Sequence, residues 1–459
     1  MTKYLDLLYA ALWGMPALLL ILGVGLWLTF LSGCIQLRLF PRALKQFCRQ
    51  FSVRRREGTV SPYRALCTAL AATVGTGNLV GVSGAICLGG PGAVFWMLVC
   101  AFFGMVIKFA EAVLAVRYRV SQDGEFLGGP MYSIAGGLGK RFLPLAWLYS
   151  IFGVLACFGV GNSAQVNAIV SGIKSAAGSF SPPPLLIGTM IAGLLWIVFL
   201  GGSSSIGAIA EGLVPVAAAA YILMCLLFLA CKVRAIPGAL LAIWEGAFCP
   251  RAVTGGLIGS AFRALQVGCS RGIFTNEAGM GTASIAHAGA DVSHPVQQGM
   301  MGIIEVFLDT IVICTMTALV ILCSGVPIPY GLDAGAELTV NAFSTVYGKL
   351  GKVLLATFLV CFAFATILGW SLYGLRCMQF LFGSKATKAF YFLQIAVSFG
   401  GALLNAPTIW RISEILNGLM ILPNLTALIF LSPELIRLIK SDLPYTEVQN
   451  ADFHKRKPL

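Results

Sequence analysis

Charge is scarce in this sequence. Asp, Glu, Lys and Arg make up 11% of its 459 residues, whereas 58% are hydrophobic and the mean hydropathy is +0.88. That balance excludes an ordinary soluble globule and a disordered chain. Histidine is scarcer still: His287, His294 and His454 are the only three, too few for a multi-histidine metal centre. The 14 cysteines include no Cys-x-x-Cys pair. Scattered as Cys87, Cys100, Cys157, Cys225, Cys314 and Cys361, they read as small packing residues, not a metal or disulfide framework. Short alternating segments, the mark of a membrane β-barrel, are missing too. The first apolar run, Tyr9–Leu31, lacks an Ala-x-Ala cleavage pattern and is too long for a signal peptide, so it counts as a retained span.

What the chain does have is apolar runs of about 17–25 residues, the length of a helix crossing a bilayer. Eleven windows qualify, approximately 9–33, 65–88, 92–116, 145–170, 184–201, 209–231, 255–287, 299–323, 350–375, 388–404 and 412–432. The expectation is an all-α polytopic protein of about 11 transmembrane helices. The net charge of +13 lies between the apolar runs, which points to topology and the lipid bilayer, with no nucleic acid as partner. The segment 38–64 carries eight basic residues, among them Arg54, Arg55 and Arg56, against one acid, Glu57. Placing it in the cytoplasm puts 20 basic residues inside and eight outside, with the N-terminus outside and the C-terminus cytoplasmic. The same stretch could lie along anionic headgroups.

Two windows are abnormal. The second, 65–88, carries Gly75, Thr76, Gly77 and Asn78 near its middle, where lipid demands unbroken backbone pairing. The seventh, 255–287, contains Gly-Cys-Ser-Arg-Gly at 268–272 and Phe-Thr-Asn-Glu-Ala-Gly-Met-Gly at 274–281. With the first span set aside, ten remain, and an interrupted helix opens each group of five. Because five is odd, successive five-span units have opposite orientations, an inverted repeat whose paired breaks point to a midplane transport site. The domains expected are an N-terminal helix 1–37, a basic cytoplasmic segment 38–64, repeats 65–231 and 232–432, and a cytoplasmic tail 433–459. Glycine also serves close helix packing, the alternative reading for either cluster alone.

An unwound helix offers amides on one side and carbonyls on the other, so one break can hold a carboxylate and a cation together. Thr76 and Gly77 are placed to give amides to a carboxylate. The carbonyls near Ala71, Thr73 and Val74, with the Asn78 amide oxygen, are hard donors suited to Na+. A zwitterionic amino acid plus a coupling ion is the simplest ligand set. Gln165 and Asn167 lie two apart and cannot share a helix face; Gln165 is the one expected at the site. Thr366 and Trp370, four apart, suit a hydroxyl ligand above an aromatic wall, or else an interhelical hydrogen bond and a packing indole. Glu305 and Asp309 are also four apart, so one is protonated or a cation or basic residue lies between them. Asp309 could add charge to an ion site, relay a proton or pair structurally. Lys108 and Glu111 are expected to pair with each other or to snorkel.

Several runs together resemble the alanine or glycine:cation symporters, also called the sodium:alanine symporter family: ALAATVGTGN (69–78), GGPGAVFWM (89–97), KFAEAVLAVRYR (108–119), GGPMY (128–132), TNEAGMG (275–281) and ILGWS (367–371). The resemblance covers nearly the whole chain. It implies a LeuT-like fold of two five-helix inverted repeats with two broken helices. It also implies import of alanine or glycine with Na+, or in some members H+, across a prokaryotic plasma (inner) membrane, without an organic cofactor or enzymatic chemistry. By the same resemblance Thr76 and Gly77 meet the substrate carboxylate, and Asn78 holds one ion with the Thr73 carbonyl. A second ion takes the carbonyls of Ala71, Val74 and Ala363 with the Thr366 hydroxyl, while Gln165, Phe274 and Trp370 bound a small side-chain pocket. Leu98, Ser284, Leu372 and Leu375 depart from the family pattern, where tryptophan, proline, tyrosine and glutamate are usual. The competing function is a transporter-like sensor that binds an amino acid without moving it.

Overall fold

The computed structural model describes residues 8–10, 12–50, 60–177, 182–249, 260–332, 335–403 and 406–455. The basic run Arg54–Arg56 with Glu57, the first residues of the seventh window, Lys3, Arg251, Arg456 and Lys457 lie outside the described residues.

Helix α1 (Met15–Leu31) is apolar, and α2 (Phe40–Gln50) is amphipathic. Ala43 of α2 is buried, and Phe40 meets the Phe307 ring edge-on at 4.9 Å, while Arg42 approaches Asp442 at 3.9 Å. Helix α3 (Pro62–Thr73) starts on Ser61, whose hydroxyl accepts the Arg64 amide at 3.1 Å, with proline at the position where no amide is needed. It stops at Val74, whose ψ of 95° is extended. A π-helical turn, Gly77–Gly81, leads into α4 (Val82–Gly89), and the two halves are bent by 51°. The first break thus falls on Gly75 and its neighbours.

Helix α5 (Gly92–Arg117) leads into a short antiparallel hairpin, β1 (Val120–Gln122) and β2 (Glu125–Leu127). After α6 (Leu143–Phe158), a π turn at Gly159–Ser163 and α7 (Ala164–Ala177) come α8 (Pro184–Leu200) and α9 (Gly202–Cys231). Helix α10 (Ile236–Phe248) precedes the second broken element, α11 (Ala261–Asn276) and α12 (Thr282–His287). Between these halves Glu277, Gly279 and Gly281 have φ of 56°, 92° and 77°, three left-handed residues within five, which no helix can absorb. Next come α13 (Pro295–Val306), a π segment at Phe307–Cys314, α14 (Thr315–Cys323), α15 (Glu337–Tyr347), the 34-residue α16 (Lys349–Phe382) and α17 (Thr387–Gly401). The chain closes with α18 (Ala406–Leu419) and α19 (Ile421–Lys455).

Each of the eleven expected windows holds helix. Among the described residues seven helices are long and apolar enough to cross a membrane, and the bent α3–α4 pair makes an eighth. The other three windows contain α8, with 17 residues, the broken α11–α12, and α17, with 15. By length and composition, then, the described residues support seven crossings, or eight with the bent pair, and the count of about 11 is not confirmed. Of the two runs in the seventh window only the second interrupts the helix: α11 runs unbroken through 268–272 and ends at Asn276. Gly268 is instead a packing glycine, since an added Cβ would strike the Ala93 backbone and lie 2.8 Å from Trp96 Cβ.

Two packing relationships place the centre of the molecule. Helix α5 lies against α11 and α13, and α16 against α3, α6 and α7. Gly369 lets α16 touch α3, where an added Cβ would sit 2.7 Å from the Ala72 amide nitrogen.

Candidate functional site

Both breaks open on one small central pocket. Its lining comprises Ala72, Thr73, Gly75, Thr76, Gly77, Val160, Gln165, Phe274, Thr275, Glu277, Thr366 and Trp370, and its volume is about 20 Å³. In this conformation it holds little more than a water molecule. Of the expected substrate residues, Thr76, Gly77, Gln165, Phe274, Thr366 and Trp370 converge here, although 290 residues of sequence separate the first from Thr366.

The first break supplies donors. The Val74 amide still reaches Leu70 at 2.8 Å, but the Gly75 amide turns to the Asn78 side-chain oxygen at 2.8 Å, so the Ala71 carbonyl loses its helical partner. Among the described residues no backbone carbonyl takes the amides of Thr76 or Gly77. Thr366 closes this side: its hydroxyl donates to the Phe362 carbonyl at 2.9 Å, and a Cβ on Gly75 would come within 2.5 Å of it. Thr73 lines the pocket, while Ala71, Val74 and Ala363 are buried just off its lining.

Other lining residues supply acceptors. Gln165 donates through Nε2 to the Val160 carbonyl at 3.0 Å, which leaves its buried Oε1 without a partner among the described residues. Glu277, in the left-handed conformation that ends α11, accepts the Trp370 indole N–H at 3.0 Å on Oε1 and the Thr282 hydroxyl at 2.6 Å on Oε2. Trp370 is fully buried, and Gly161 makes room for it, because an added Cβ there would run into the Trp370 side chain. Phe274 meets the Trp13 ring edge-on at 5.9 Å. Asn167 instead lines a different cavity.

Asn78 and Asp309 stand behind the pocket, not in its lining. The Asn78 amide donates to Asp309 Oδ1 at 2.8 Å, Thr310 donates to Oδ2 at 2.8 Å, and Asn276 donates to Thr310 at 3.2 Å. The Ala278 amide closes the chain on Asn276 Oδ1 at 3.0 Å. A run of hydrogen bonds therefore connects the two breaks without passing through the pocket.

Lys108 does not pair with Glu111, nor does it snorkel. Fully buried, it faces Glu305 at 3.2 Å, and His287 holds the other oxygen of Glu305 at 2.8 Å. A basic residue thus stands beside Glu305, while Asp309 turns away to Asn78. Glu111 goes to the second break: its Oε1 accepts the amides of Gly279 and Gly281 at 2.9 and 3.1 Å and the Asn424 side chain at 2.7 Å. Sequence reasoning missed both Glu111 and Glu277 at this break. The signal for Glu277 was an acid inside the TNEAGMG run, and for Glu111 an acid inside KFAEAVLAVRYR.

Two larger cavities flank the pocket. One, of about 500 Å³, shares Thr76 with it and is lined by Leu79, Val80, Leu355 and Leu359; the other, of about 360 Å³, is lined by Arg64, Thr68, Glu125, Leu372 and Arg376. Along α3–α4 and along α16 alike, the order of lining residues runs cavity, pocket, cavity. The 360 Å³ cavity is edged by two ion pairs, Arg64–Glu211 at 2.9 Å and Arg376–Glu125 at 2.7 Å.

The sequence model of the sodium:alanine symporter family matches residues 1–457. This chain belongs to the sodium:alanine symporter family. It is 41% identical over 446 residues to the sodium/alanine symporter AgcS of Methanococcus maripaludis, covering 96% of this chain and 97% of that one. A Bacillus subtilis relative whose name suggests a sodium/glutamine symporter, GlnT, is 34% identical over 444 residues, covering 96% and 90%. The solved structure of MhsT in complex with L-phenylalanine superposes with a TM-score of 0.59 at 16% identity, over 82% of this chain and 90% of that one. The fold is LeuT-like, and the chain is an integral membrane protein of a family of sodium-coupled amino-acid symporters, not of enzymes. The sensor alternative finds no support among these relatives.

Proposed function

We propose that this symporter imports a small neutral amino acid, alanine or glycine, together with Na+, by alternating access around the central pocket. The observation that carries this reading is the pairing of free amides at Thr76 and Gly77 with the unpartnered Gln165 Oε1 across one small cavity. Such a pairing complements a zwitterion. Phe274, Trp370 and Thr366 crowd the pocket, which favours a small side chain once it widens to admit cargo. A sodium ion takes the Thr73 carbonyl and the second lone pair of the Asn78 oxygen, with the charge of Asp309 behind it; another takes the carbonyls of Ala71, Val74 and Ala363 with the Thr366 hydroxyl. These donors are hard oxygens, as Na+ requires. H+ is the alternative coupling ion.

Alternation is supported by the two flanking cavities, which lie beyond opposite ends of the pocket along the same helices, the 500 Å³ one sharing Thr76 with it. In this reading repeats 65–231 and 232–432 rock about the two breaks. The 360 Å³ cavity, lined in part by Val60 and Arg64 at the end of the basic segment, faces the cytoplasm in this reading, and the N-terminus lies outside.

The deciding experiment is uptake of radiolabelled alanine and glycine into proteoliposomes under an inward Na+ gradient, an inward H+ gradient, or neither. Accumulation driven by the Na+ gradient alone is expected. Accumulation driven only by H+ would replace the ion, and binding without accumulation under any gradient would overturn transport.

A further inference from the structure

We propose that Glu277 is the residue that recognises the ammonium group of the cargo, and that it sets the requirement for an α-amine. This deepens the amino-acid reading above and rests on it.

Among the twelve residues lining the pocket, Glu277 is the one with a formal charge. It is 3% exposed and sits at the break itself, with a φ of 56° that a residue bearing a side chain rarely adopts. That left-handed turn ends α11 with Glu277 in the same pocket lining as the first break. Each oxygen has one neutral donor, the Trp370 indole N–H on Oε1 and the Thr282 hydroxyl on Oε2. A carboxylate has about four lone-pair sites, so acceptor capacity remains on both oxygens. Among the described residues no cationic side chain lines the pocket. Lys108, the buried cation on α5, is ion-paired with Glu305 and acts on Glu277 through its field, without a direct contact.

With the cargo carboxylate on the Thr76 and Gly77 amides, the ammonium must meet the acceptor wall, which consists of Glu277 and the unpartnered Gln165 Oε1. An ammonium placed there completes three hydrogen bonds and offsets a charge buried in low dielectric, where an unpaired ion is costly. A hydroxyl in place of the ammonium offers one donor and no charge. The Trp370 bond ties this recognition to the aromatic wall: the same carboxylate that holds the amine also fixes the indole that limits side-chain size.

The test compares alanine with lactate, which carries a hydroxyl where alanine carries the ammonium. Binding to the full-length protein in Na+-containing nanodiscs would be read by calorimetry. Wild type should favour alanine by at least about 100-fold. Glu277→Gln keeps an acceptor for the Trp370 N–H but removes the charge, and should shrink that ratio to within about tenfold. Trp370→Phe removes the bond but keeps the carboxylate, and should preserve the wild-type ratio even if both ligands weaken. An unchanged ratio in Glu277→Gln, or an equal collapse in Trp370→Phe, overturns the proposal. Should Glu277→Gln fail to fold, the unaltered chain decides: the ¹⁵N signal of the Trp370 indole should shift with alanine and not with lactate, and identical responses to both overturn the proposal. Wild type that neither binds nor transports any small neutral amino acid would overturn the transport reading itself, an outcome distinct from transport with unchanged discrimination.

Discussion

Asn78 and Asp309 face each other at 2.8 Å, amide to carboxylate, and the other end of the same Asn78 amide accepts the Gly75 N–H at 2.8 Å. One side chain therefore props open the first break and satisfies a buried acid on another helix. Leucine at 78 would do neither. Asn78→Leu should abolish Na+-dependent uptake while leaving protein in the membrane, at a stability cost of about 2–3 kcal/mol for the stranded carboxylate. Uptake at the wild-type rate would remove Asn78 from the ion site.

Lys108 and Glu305 form a pair sealed from water, with His287 on the second oxygen. Removing one member leaves an uncompensated charge. Lys108→Met should lower stability by about 3–5 kcal/mol, and Lys108→Met combined with Glu305→Gln should recover a large part of it. Thermal unfolding in detergent, run as a double-mutant cycle, measures both. Additive losses would mean that the pair is not coupled.

Gly281 combines a φ of 77° with a crowded site, where an added Cβ would strike Pro130 and lie 2.5 Å from Asn424 Oδ1. Gly281→Ala should cost about 2–4 kcal/mol, from backbone strain and overpacking together. Gly124, with a similar φ of 79° but open space around it, provides the comparison: its alanine variant should lose only the backbone part. Equal melting temperatures for the two variants would show that packing at Gly281 is immaterial.

Glu125, on the hairpin, is exposed, its side chain keeping 45% of its accessible surface. Burial alone would raise its pKa, but the charge of Arg376 and hydrogen bonds from Ser203 and Arg376 outweigh it and hold the carboxyl below the usual range. A depressed folded value means that the bridge is intact above the ordinary glutamate range and is lost as pH falls through the folded value. Hairpin amides should therefore exchange slowly at neutral pH and open only in acid, below the ordinary glutamate range. In Arg376→Gln the opening should move to higher pH. An unmoved midpoint would show that the bridge does not hold the hairpin.

Some of this architecture was legible in the sequence and some was not, for physical reasons. Gly75, Thr76, Gly77 and Asn78 announced a break because polar and flexible residues cannot sit unpaired in lipid. Gly268 and Gly272 looked alike but serve close approach to α5 at Ala93 and Met97, and composition does not distinguish a glycine that bends from one that packs. Lys108 and Glu111 share a helix face, so spacing suggested a pair. Their partners lie on α13 and at the second break, beyond the reach of any local rule. The breaks identified which residues to expect near the pocket, but not which way Asn78 turns, and they left Glu277 unremarked although it lay inside a quoted motif.

The two breaks are not equally secured. At the second, every amide from Glu277 to Gly281 has an acceptor, including Ile273, Asn276 and Glu111, and Asn424 takes the Gly279 carbonyl. At the first, the amides of Thr76 and Gly77 have no backbone acceptor among the described residues. The molecule thus has one welded joint and one idle joint. In the proposed binding mode the idle joint is engaged only when cargo arrives, so the empty carrier should be looser at Thr76–Gly77 than the loaded one, and the cargo would serve as the missing piece of its own carrier's backbone.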